Sequence, residues 1–241
     1  ERTLAGESIY ELDEAMLAEL EPDLIVTQAL CPVCAVSYDE VTELARTLPS
    51  EPHVVALDPK TLGETLADVR TLAQATGRER AGEELVQRSA ARIDAVLAAV
   101  EGAGYPRVPA LEWLEPAFVA GHWTPQLIEM AGGEDVLGLA GEPSREHGWE
   151  ELAQAGADVV VVMPCGYDGQ RARDEALAHE PKLATLGARR AVAVDAAAYF
   201  SRPGPRLIDG LELMAHILHP ERLPDPPPGA QVLELALTVR G

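Results

Sequence analysis

Two stretches of this chain read as copies of one unit, and each copy ends a strand on a cysteine. They are DLIVTQALC at 23–31 and DVVVVMPC at 158–165. A helix-like acidic segment precedes each strand, EAMLAELEP in one copy and WEELAQAGA in the other. A polar turn, a second helix-like segment and a short strand ending in Asp follow each, HVVALD at 53–58 and AVAVD at 191–195. The order helix, strand, loop, helix, strand thus occurs twice, about 135 residues apart. The expected fold class is α/β, with two similar Rossmann-like lobes, a cleft between them and strand ends facing that cleft.

The segment between the copies supplies the connection. Residues 61–101 contain no proline, and Gly77 divides them into helices expected at 61–76 and about 78–101. In the second, Ala81, Leu85, Val86, Ala90, Ile93, Val96, Leu97 and Val100 make one apolar stripe. A helix of that length is long enough to run from one lobe to another. The expected division is an N-terminal lobe at 1–77, a connecting helix at 78–101 and a C-terminal lobe at 102–241. Within the last, VPALEWLEPAFVAGHW reads as a strand with its loop. TPQLIEMAGG reads as a helix with Pro125 in its first turn and glycines at its end. Pro203 and Pro205 stiffen a loop before a closing helix at 205–218, and VLELALTV alternates like an edge strand or tail. PDPPPGA at 224–230 reads as an extended spacer.

Composition excludes several classes of function. The 241 residues are 47% apolar, and no run approaches 18 apolar residues, so a soluble globular chain is expected. The net charge of −21 repels nucleic-acid phosphates and anionic membranes. The opening ERTLAGESIYELDEAML lacks a basic region followed by an apolar one, so it does not read as a signal peptide. Three cysteines make no disulfide framework; Cys31 and Cys34 could pair in an oxidising compartment, leaving Cys165.

Three constellations carry chemistry. Cys31-Pro-Val-Cys34 lies between a strand and a helix, where thiol pKa values fall. Dithiol redox chemistry and half of a zinc site are open readings beside a structural or ligand-lining role. A zinc site wants further ligands, and His216 and His219 are expected far from this turn. Cys165, in MPCGYDG with Tyr167, ends the second strand, where open α/β sheets place ligands. Gly121-His122-Trp123 and Tyr199-Phe200 put rings at further strand ends, suited to stacking on a planar ligand. No GxSxG, P-loop, HExxH or strand-linked GxGxxG is present, so catalytic residues are expected to be none.

Together these segments resemble the class III periplasmic substrate-binding proteins of ABC importers, of the iron-siderophore and vitamin B12 type. The matching residues are ELEPDLIVTQ at 19–28, the long helix at 78–101, LEWLEPAFVAGHWTPQLIEMAGG at 111–133, ADVVVVMPCGYD at 157–168 and AYFSRPGPRLIDGLELMAHILHPE at 198–221. The nearest likeness is to cobalamin-binding proteins of a subgroup with CxVCAV after the first strand. The resemblance implies two lobes joined by one rigid helix, little hinge motion, and delivery of ligand to a membrane ABC permease. Asp39 or Glu40 would meet permease arginines. Family members carry residues ahead of the segment that begins here, so the N-terminal lobe is expected to be shortened. The resemblance implies a periplasmic or extracellular membrane-associated protein; without a signal, a cytoplasmic corrinoid binder is also compatible.

The expected function is therefore capture of a corrinoid, cobalamin, by a monomer that binds no nucleic acid and no covalent cofactor. Trp123, His122, Tyr199, Phe200, Arg202, Tyr167, Cys31, Cys34 and Cys165 are the expected ligand-facing residues. Haem, a ferric siderophore or another metal complex in the same cleft is the alternative. A CxxC thiol-redox or zinc-binding protein is the alternative of a different class.

Overall fold

A computed structural model describes residues 12–28 and 38–237. The chain forms two compact units. One comprises Glu1–Pro59 with Gln74–Gly77, the other Lys60–Ala73 with Arg78–Gly241.

In the first unit, α1 (Glu14–Leu20) leads to β1 (Leu24–Gln28), then α2 (Tyr38–Thr47) and β2 (His53–Leu57). Asp13 caps α1, its carboxylate accepting from the Met16 N–H at 2.9 Å. Strands β1 and β2 pair in parallel, Leu24 opposite His53. Here α1 buries none of its residues, and Val26 of β1 is 45% exposed. The described core of this unit is carried by Val41 and Ala45 of α2, Leu48 and Val55.

Helix α3 (Leu62–Ala75) and helix α4 (Glu79–Val100) follow. Gly77 separates them at φ +63°, a conformation that favours glycine. Where the helices meet, a Cβ on Gly82 would lie 2.4 Å from the Ala73 methyl, so the close packing depends on glycine. The apolar stripe of α4 is seen in its buried Val86 and Val96.

The second unit continues with β3 (Arg107–Val108), β4 (Ala110–Leu114), β5 (Ala117–Val119), α5 (Thr124–Met130), β6 (Glu134–Asp135) and β7 (Arg145–Glu146). Next come α6 (Trp149–Gln154), β8 (Val159–Val162), α7 (Gly169–Ala178), α8 (Glu180–Ala184) and β9 (Arg190–Val194). Last are α9 (Ala196–Tyr199), α10 (Leu207–Leu218) and β10 (Val232–Glu234). Among the described residues six strands make the main sheet, in the order β10-β9-β8-β4-β5-β7, and β3 pairs with β6. Strands β9, β8 and β4 run parallel, and antiparallel strands flank them on both sides.

The segment 109–123 is a hairpin, not one strand with a loop. Glu115-Pro116 occupies its turn, and β5 returns antiparallel to β4 until the Ala120 N–H donates to the Ala110 carbonyl at 2.8 Å. All four valines of β8 are buried, as a parallel strand covered on both faces requires. On one face Leu111, Leu114, Leu152, Val160, Val162 and Leu183 form a continuous core. Helix α10 is nearly all buried, and Arg92 of α4 clamps it through Asp209 at 2.5 Å and both oxygens of Glu212 at 2.7 Å. His219 and His216, set aside above as zinc ligands, hydrogen-bond the Gly132 and Leu223 carbonyls at 3.0 and 2.7 Å.

Candidate functional site

The loops that close β8 and β9 stand side by side, because the two strands are parallel neighbours. After β8, Met163 to Asp168 form a turn that ends in an N-cap: the Asp168 carboxylate accepts from the Arg171 N–H at 2.8 Å. After β9, Asp195 caps the short helix α9 in the same way, accepting from the Ala198 N–H at 2.8 Å. Two cross-links bind the loops together. The Gly166 N–H donates to Ser201 Oγ at 3.0 Å, and the Ala197 N–H donates to the Tyr167 carbonyl at 3.1 Å. The Cys165 N–H in turn donates to the Glu112 carbonyl of β4 at 3.1 Å.

This framework displays a compact set of side chains. Cys165 is a free, exposed thiol. Tyr167, half-buried, meets the edge of Trp113 with ring centroids 5.6 Å apart and an interplanar angle of 75°. The Arg171 guanidinium lies over the Tyr167 ring, 3.7 Å from its centroid. Trp113 is 39% exposed, and Arg202, next to Ser201, is exposed too. Tyr199 is half-buried; burial pushes its phenol pKa up, and the charges of Asp195 and Asp209 push the same way against Arg206.

The other expected aromatic residues lie inward. Trp123 is only 5% exposed, and its indole N–H donates to the Phe200 carbonyl at 2.8 Å. Phe200 is 3% exposed and packs on Gly210, where a Cβ would meet the Tyr199 carbonyl at 2.5 Å. Trp123 and Phe200 thus brace the loop after β9 from within, with little ring surface left to meet a ligand. Cys31 and Cys34 lie outside the described residues.

His122 belongs to a second cluster. Its φ of +51° is unusual for a side-chain-bearing residue, and the turn segment at 141–144 holds it there. The His122 N–H donates to the Glu142 carbonyl at 2.6 Å, and its carbonyl accepts from the Gly141 N–H at 2.9 Å. The neighbouring Gly121 N–H donates to Ser144 Oγ at 3.0 Å. Two part-buried carboxyls stand on β4 and β6. Burial pushes the Glu112 pKa up, opposed by a hydrogen bond with Ser144. Burial likewise pushes Asp135 up to about 6, opposed by the Gly138 and Leu137 N–H groups at 2.5 and 3.1 Å.

Sequence reasoning thus missed Trp113, Arg171, Ser201, Ser144 and Glu112. One signal was available: Tyr167 and Arg171 stand at the i, i+4 spacing that lets side chains meet where a helix begins. Among the described residues, no three His, Cys, Asp or Glu side chains come together as a metal site, and no helix is long and apolar enough to cross a membrane.

The chain belongs to the periplasmic binding protein family, whose sequence profile matches residues 12–194. These are substrate-binding transport proteins that capture small ligands and partner with ABC permeases. No curated protein is similar enough to count as a match. Among solved structures, a periplasmic haem-binding protein from Pseudomonas aeruginosa is similar at 21% identity and a TM-score of 0.67, over 96% of this chain and 83% of that one. The haem-binding protein BhuT, solved with two haems, is 26% identical with a TM-score of 0.63, over 88% of this chain and 78% of its own. The vitamin B12-binding protein BtuF of Vibrio cholerae is 16% identical with a TM-score of 0.64, over 86% and 78%.

Proposed function

We propose that this protein captures a corrinoid, cobalamin in particular, as the substrate-binding component of an ABC importer. The loops closing β8 and β9 carry its ligand-facing groups. The pair of exposed Trp113 and half-buried Tyr167 beside the Cys165 thiol is the observation that carries this reading. In a chain with 4% aromatic residues, a ring pair left at the surface is suited to supporting a flat conjugated macrocycle. Hydroxyl and backbone groups of the same loops hydrogen-bond the amide rim of a corrinoid, while the buried Trp123 and Phe200 hold those loops in place. The process is binding without chemistry, by a monomer outside the inner membrane.

Haem is the second reading, supported by the 26% identity to haem-bound BhuT. The charge of −21 weighs against a polyanionic ferric siderophore. Isothermal titration under reducing conditions separates these readings. Saturable one-to-one heat with cyanocobalamin is the expected result. Saturation by haem alone would replace the corrinoid, and no heat with either, from protein shown folded by circular dichroism, rejects both.

A further inference from the structure

Arg171 is a charged group of the second unit held by an aromatic ring instead of a carboxylate. Several arginines of this unit are spent on carboxylates: Arg92 on Asp209 and Glu212, Arg107 on Glu134, Arg189 on Asp158, Arg190 on Glu234. Arg171 is exposed and pairs with no carboxylate among the described residues, although 40 of the 241 residues are acidic. It is not left to wander either. The Tyr167 ring lies beneath its guanidinium at 3.7 Å, and Trp113 in turn props that ring edge-on. A guanidinium held by a ring face keeps its N–H groups free for an acceptor and is more weakly hydrated than an ammonium. Arg202, exposed and likewise without a carboxylate partner among the described residues, follows Ser201, whose hydroxyl is hydrogen-bonded to the loop that carries Tyr167.

We propose that Arg171, with the exposed Arg202 on the neighbouring loop, forms the anion-recognition corner of the ligand site and receives an anionic group that a planar ligand presents there. This deepens the corrinoid reading and rests on it. In cobalamin the group is the phosphodiester of the nucleotide loop; in haem it is a propionate carboxylate. Both offer the paired oxygens that a guanidinium fork engages through two parallel hydrogen bonds. The acidic surface then repels ligands carrying more negative charge than this corner neutralises.

The test compares a ligand that carries that group with one that lacks it. Titrate wild type, Arg171→Gln and Arg171→Lys with cyanocobalamin and with dicyanocobinamide, which lacks the phosphodiester and nucleotide. Arg171→Gln should weaken cobalamin binding about ten- to a hundredfold, the range of a charge-assisted hydrogen bond. It should leave cobinamide binding within about twofold, within the scatter of a surface substitution. Arg171→Lys should recover part of the loss, and salt should weaken cobalamin more than cobinamide. Equal losses for both corrinoids, or none for cobalamin, overturn the proposal while leaving the corrinoid reading intact. If wild type binds haem instead, haem and its dimethyl ester replace the two corrinoids and the same outcomes apply. A folded wild type that binds neither class overturns this corner together with the function it rests on.

Discussion

Strands β1 and β8 hold the same place in the same motif, yet they live in different physical settings. Each follows a short acidic helix, and each pairs in parallel with the strand reached through the next helices. All four residues of β8 are buried, with β9 on one side and β4 on the other. None of the residues of β1 is buried, its sheet has two strands among the described residues, and the helix before it buries nothing. The sequences differ accordingly: VVVV in β8, against LIVTQ in β1, where the apolar run gives way to Thr27 and Gln28. A shared motif therefore fixes the order of elements, but the number of flanking strands and covering helices decides how much of it becomes core. Among the described residues the second unit has the larger core, and its strand ends carry a defined set of side chains.

If that contrast is right, the largest losses lie beneath the second unit's loops. Trp123→Ala removes a ring that is 5% exposed and leaves the Phe200 carbonyl without its donor. A loss of about 3–5 kcal/mol is expected in denaturant unfolding followed by circular dichroism. A change below about 1 kcal/mol, the size of a surface substitution, would show that the ring does not brace this loop. Close packing also buries charge. The Asp135 carboxyl is raised from 3.8 to about 6, so the folded state holds that proton more tightly than the unfolded chain. Its contribution favours the fold below pH 4, declines as pH rises through 6 and is flat beyond. Asp135→Asn keeps an acceptor for the Leu137 and Gly138 N–H groups and removes the charge. At pH 7 the variant should exceed wild type by on the order of 2 kcal/mol, with no difference near pH 4. Unfolding midpoints measured from pH 4 to 8 check this, and parallel curves for the two proteins would remove Asp135 as the cause.

Much of this fold was legible because the repeat is written in run lengths and punctuation. Short apolar runs bounded by turns gave the strands, Gly77 the break between helices, and the aspartates ending each second strand marked a change of element. Two features were not legible. LEWLEPAFV reads as one strand, because Glu115-Pro116 interrupts it only briefly; strand reversal follows from pairing, which composition does not record. Trp123 closes the Gly121-His122-Trp123 loop at a strand end and so looked exposed, but only the returned hairpin shows its indole reaching Phe200. Trp113 was hidden the other way. It sits inside a strand pattern, and the register shift between Leu111 and Trp113 is visible only in three dimensions.

The same small change in both copies sharpens the comparison. Val161→Ala trims a fully buried residue of β8 and should cost about 2 kcal/mol, from lost burial and the cavity left behind. Val26→Ala trims a residue that is 45% exposed in β1 and should cost less than about 0.5 kcal/mol. Equal costs would mean that the two strands are equally enclosed in solution. The smallest effect belongs to α1. With no buried residues, that helix owes little to packing, and its Asp13 cap is a main local support. Asp13→Ala should therefore weaken α1 by about 1 kcal/mol, read as faster amide exchange at Met16 and its neighbours. The unfolding midpoint of the second unit should not move. A matching fall in that midpoint would show that α1 is tied to the larger core, contrary to its exposure here.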